Sequence, residues 1–205
     1  MPRGDGRGGG ASREDLGLTT RLLALAVWLL LSGATHAVAA EPPNAADLPP
    51  ALREAITRLH PAAAVLRADE ILAERCGAER RRDQVVRADF NGDGRADYAV
   101  LLRMGEPKAV AGEALKSAPV WAVVFLARRD GLYRSFILYK SEEVMIPSRQ
   151  VIALQPPGKV HHGAHPERVL TLAQPGIASI LCEGTEKVYY WVSRGQTFRE
   201  YLTRE

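Results

Sequence analysis

The 205-residue chain carries no Gly-x-Ser-x-Gly elbow, no phosphate-binding Gly-rich loop and no His-Glu-x-x-His pair. The hydrolase, nucleotide and metalloprotease chemistries that announce themselves through those motifs are therefore not written in it. The adjacent Glu142 and Glu143 do not replace them, because neighbours on a strand point to opposite faces and cannot flank one bond. No catalytic residue is assigned. Strong charge of one sign is also missing. A formal net charge of +3 gives no electrostatic footprint for nucleic acid, and Glu79-Arg80-Arg81-Arg82 reads as a solvated run. Cysteine is scarce, with Cys76 and Cys182 alone. In an exported chain they are free to pair and close a loop of about 106 residues; the alternative is two buried thiols, and export favours the disulfide.

Long apolar runs are scarce too. Residues 22–31 form one, preceded by Arg21 and followed by small residues ending Ala37-Val38-Ala39-Ala40. That is the pattern of a secretory signal peptide. A retained anchor needs about 20 apolar residues, and Ser32, Gly33, Thr35 and His36 interrupt the second half. No cysteine adjoins the cleavage site, which argues against a lipoprotein. The expected organisation is a signal peptide with a long N-terminal extension over residues 1–40, a linker over 41–48 and one globular domain over 49–205. The product would be exported, periplasmic or extracellular, with no membrane span after cleavage.

With 46% hydrophobic and 25% charged residues the chain can bury a core. Pro49 and Pro50 open a helix whose Leu52, Ile56 and Leu59 share one face, and Pro61 ends it. Residues 62–75 fit helix or a short strand at Val65-Leu66, with Gly77 as a stop. From residue 85 the texture becomes short apolar runs between turn residues. Strands are expected over 85–88, 98–102, 120–127, 132–139, 151–154, 169–172, 177–182, 188–192 and 198–202. Asp130-Gly131 is a hairpin signal. The fold class expected is α+β: an N-terminal helical segment capping a mainly antiparallel sheet of six to nine strands.

One stretch concentrates chemistry: Asp89-Phe-Asn-Gly-Asp-Gly-Arg-Ala-Asp97. Asn-Gly and Asp-Gly favour turns, which accounts for the glycines. Turn chemistry leaves unexplained the oxygens at positions one, three, five and nine: Asp89, Asn91, Asp93 and Asp97. With the Arg95 carbonyl at position seven they form a calcium-type donor set, which suits calcium better than magnesium. Position twelve is Val100, so the bidentate glutamate of an EF-hand is missing and a strand-loop-strand site is expected, with affinity on the order of 10⁻⁴ to 10⁻³ M. The Arg95 side chain is expected to turn to solvent.

These residues, continuing Tyr98-Ala99-Val100, resemble the calcium loop of the FG-GAP and VCBS repeat superfamily. Val188-Tyr-Tyr-Trp-Val and Thr197-Phe-Arg-Glu-Tyr resemble the closing strands of small exported bacterial proteins that carry one such loop. The loop occurs once and the Phe-Gly-Gly-Ala-Pro element is absent, so a multi-bladed propeller is not expected. The resemblance implies an exported calcium-binding domain, non-enzymatic, in which calcium stabilises the fold or a binding surface for an envelope protein or polysaccharide. The alternatives are an envelope-polymer hydrolase with a structural calcium ion and an adhesion or inhibitor module using exposed aromatics.

Two further groups stand out. His161, His162 and His165, with His60 as a conceivable fourth ligand, have spacing that fits zinc, copper or nickel, although a plain exposed loop explains them as well. Trp121, Tyr189, Tyr190 and Trp191 fit an aromatic surface for sugar or peptide, or half-core cross-strand pairs.

Overall fold

The computed structural model describes residues 44–112 and 115–204; the expected signal peptide and the first three residues of the expected linker lie outside them. The architecture is mostly antiparallel β-sheet with few helices. Helix α1 (Pro50–Leu59) starts on Pro50, and β1 (Ala63–Val65) follows. Residues 62–75, which fitted one helix or one strand, instead divide into β1, a single 3-10 turn and the short helix α2 (Ala73–Cys76). No one periodicity runs through so short a set of pieces.

The first sheet has six strands: β1, β2 (Val85–Ala88), β3 (Asp97–Met104), β4 (Lys108–Ala109), β5 (Lys116–Ala127) and β6 (Tyr133–Ile146). The second has four, β7 (Gln150–Gln155), β10 (Gly176–Leu181), β11 (Glu186–Val192) and β12 (Thr197–Arg204), in the order β12-β11-β10-β7. Strands β8 (Gly158–His161) and β9 (Val169–Leu172) form a separate hairpin. Twelve strands among the described residues exceed the expected six to nine. The additions are β1, β4 and β8, each too short to show an alternation.

Strand β3 explains the layering. Its residues are buried almost throughout, yet alternate ones serve different cores. Tyr98, Val100, Leu102 and Met104 pack with Leu52 and Ile56 of α1 and with Phe125, whereas Ala99 and Leu101 join the larger core with Val151, Ile177 and Val188 of the second sheet. A strand covered on both faces reads as a continuous apolar run, as this one does. Among the described residues, no helix is long and apolar enough to cross a membrane.

Gln84, only 1% exposed, ties the two sheets. Its Oε1 accepts the Ile152 amide of β7 at 2.8 Å, and its Nε2 donates to the Arg82 carbonyl at 2.7 Å. Replacing Gln84 with alanine strands a buried amide and leaves a cavity, so urea melts should show a loss of about 2 kcal/mol. A midpoint unchanged from wild type would mean that water replaces the side chain.

Candidate metal loop and its neighbourhood

Residues 89–96 join β2 to β3, whose register pairs Ala88 with Asp97. Gly92 and Gly94 hold φ of +76° and +82°, conformations that a Cβ disfavours, so the two Asx-Gly pairs set the path. Asp89 winds the loop: its Oδ1 accepts the amides of Gly92 at 2.7 Å and Asp93 at 3.1 Å, and its Oδ2 accepts that of Gly94 at 2.7 Å. Asn91 Oδ1 accepts the Asp93 amide and Asp93 Oδ1 the Arg95 amide, both at 3.0 Å. Phe90, fully buried, roots the loop in the core.

Asp97 behaves differently from the other acids. It is 0% exposed, and its two oxygens accept the amides of Phe90 at 3.0 Å and Ala127 at 2.8 Å. It therefore pins the start of the loop to the end of β5. Burial raises its pKa from 3.8 to about 6; the two amides oppose that shift, and the charges of Asp93 and Asp89 add to it. The Arg95 side chain does not turn to solvent: its guanidinium lies 3.6 Å from Asp93 Oδ2, where it offsets part of the local negative charge.

Among the described residues, no three His, Cys, Asp or Glu side chains are grouped so as to hold a metal ion. The donor chemistry of the loop nonetheless suits a hard cation. Every candidate ligand is oxygen, and each carboxylate oxygen that accepts one amide keeps a further acceptor direction.

The histidines are placed less favourably. His161 ends β8, with its Nδ1 3.0 Å from the Pro166 carbonyl. The rings of His162 and His165 are 5.3 Å apart; His162 Nδ1 is buried without a partner, and His165 lies 3.5 Å from Glu167. His60 accepts the Ala62 amide beyond the end of α1. Of the aromatics, Trp191 packs edge-on against Phe136 and Phe198, Tyr189 is buried, and Trp121 lies under the Lys140 ammonium at 3.9 Å. Tyr190 stays half-exposed. Glu143 is engaged with the Ser117 hydroxyl at 3.2 Å.

Cys76 and Cys182 are joined, with Cα atoms 5.0 Å apart. The cross-link connects the end of α2 to the residue after β10, and both cysteines are buried.

A feature with no sequence signal adjoins the loop. Gln174, between Ala173 and Pro175, rests on Gly92 so closely that a Cβ there would fall 2.7 Å from its Nε2. Nothing in an isolated glutamine of a connecting segment points to this contact. No protein-family model, curated protein or solved structure matches the chain.

Proposed function

We propose that the chain is an exported, non-enzymatic calcium-binding domain of the kind its loop resembles, the FG-GAP and VCBS type. Calcium would be held by Asp89, Asn91, Asp93, the Arg95 carbonyl and Asp97, and would stabilise the fold or an adjoining binding surface. The observation that carries this reading is Asp97. It is a wholly buried carboxylate at the ninth position of an all-oxygen loop, its proton affinity is raised by burial first and by the charges of Asp93 and Asp89 after it, and among the described residues it has no ion-paired cation. A divalent ion converts that mutual repulsion into attraction. The disulfide accords with an oxidising compartment, and hence with export.

The chain's own part in binding is to present oxygens from a loop already closed by its amides. Phe90 and the Asp97 bridge to β5 fix both ends of that loop, so ordering it around an ion costs less chain entropy than ordering a free segment. Binding to the folded state alone adds RT ln(1 + [L]/Kd), about 1–3 kcal/mol for 10 mM calcium at the affinity expected of such a loop. Thermal melts in chelator and in 10 mM calcium chloride (a concentration of roughly 10–100 Kd) should therefore differ by several degrees. Asp93→Ala should abolish the difference. Identical wild-type melts in the two conditions would sink the proposal.

A further inference from the structure

The geometry points to a binding site for a neutral saccharide in the cavity beside the acidic loop. This inference rests on the position of the loop, not on the loop holding a cation. The cavity measures about 510 Å³, within the usual range for small-ligand sites and large enough for two or three sugar rings. Three segments wall it: Asn91 and Gly92 of the loop, the stretch from Thr171 to Gln174, and the end of β11 with Tyr190, Trp191 and Ser193.

The chemistry of the wall selects the ligand class. None of the side chains lining the cavity is charged. A charged ligand buried there would lose water without gaining a counter-charge. A wholly apolar ligand would leave the Gln174 amide and the hydroxyls of Thr171 and Ser193 on the wall without a partner. Amides and hydroxyls both donate and accept, which matches a polyol whose every hydroxyl does the same. Tyr190, half-exposed on the wall, supplies aromatic carbon that the C–H face of a pyranose packs against.

The site is also held in shape. Trp191 is wedged between Phe136 at 5.6 Å and Phe198 at 5.3 Å, and Leu172 is buried beneath the wall. Gln174 lies directly on the Gly92 backbone, so the loop conformation sets the position of one amide of the wall. A wall fixed before binding costs little ordering entropy when the ligand arrives.

The test is isothermal titration of the full chain with cellotriose, maltotriose, xylotriose and tri-N-acetylchitotriose, with trigalacturonate as the anionic control. Each titration is run in chelator and in calcium. At least one neutral trisaccharide should bind, and Gln174→Ala and Tyr190→Ala should each weaken it tenfold or more while the melting temperature stays within about two degrees. Absence of binding by all four, preference for trigalacturonate, or affinity unchanged in both variants would overturn the proposal. The calcium reading is judged separately by the melts, so either can fail without the other.

Discussion

Asp97→Ala is expected to destabilise the fold by about 3 kcal/mol, measured by urea denaturation at pH 7 in chelator. The substitution leaves the amides of Phe90 and Ala127 without their acceptor in a region closed to water, and each stranded donor costs about 1–3 kcal/mol. Removing a buried charge recovers part of that loss, which keeps the figure below the simple sum. Asp97→Asn should cost less, because its one carbonyl oxygen still serves one of the two amides. A loss below about 1 kcal/mol for Asp97→Ala would show that the carboxylate does not hold β5 to the loop.

The pH dependence of that loss carries a sign. The folded-state pKa of Asp97, about 6, lies above its ordinary 3.8, so between these values the folded chain holds more protons than the unfolded one. This group's contribution is therefore greatest below pH 4, declines as pH rises through 6 and is flat above that, a span on the order of 3 kcal/mol. In chelator, the penalty of Asp97→Ala should accordingly be larger at pH 5 than at pH 7. Saturating calcium should reverse the trend in the wild type, since a bound cation favours the charged carboxylate and protonation then opposes binding.

Removing the cross-link is expected to cost about 4–5 kcal/mol, the chain-entropy value for a loop closed across a separation of 106 residues. The double variant Cys76→Ala, Cys182→Ala should show the loss as a lower urea midpoint with a larger slope, because the unfolded chain expands once the loop is opened. The bond joins the end of α2, which precedes β2, to the residue after β10, so the loop it closes contains every strand from β2 to β10. A variant less than 1 kcal/mol weaker than wild type would show that the packing of the two sheets suffices without it.

The strands were largely legible. The apolar runs at 85–88, 98–102 and 120–127 fall within strands, as does that at 177–182 except for Cys182, because a buried strand imposes hydrophobicity on nearly every position. The C-terminal half of β6 was not. Lys140-Ser141-Glu142-Glu143 carries no apolar alternation, and its strand conformation comes from pairing with β5, Trp121 opposite Lys140 and Ala118 opposite Val144. Strand β8 was hidden in the same way, a short polar segment held by pairing with β9.

The acidic loop divides along the same line. Sequence by itself determined its turns and donor types, since each Asx-Gly pair is local and each side-chain-to-amide bond from Asp89, Asn91 and Asp93 spans five residues or fewer. The same spacing made Asp97 the start of β3. Only the tertiary structure decided that Asp97 is sealed from water and shared with Ala127, that Arg95 folds back onto Asp93, and that Gln174 lies against Gly92. The physical reason is range. Local spacing fixes what a residue can do with its immediate neighbours, but which distant amide or side chain completes it depends on strand register and on how the layers of the fold stack, and these are settled by the burial of the whole chain at once.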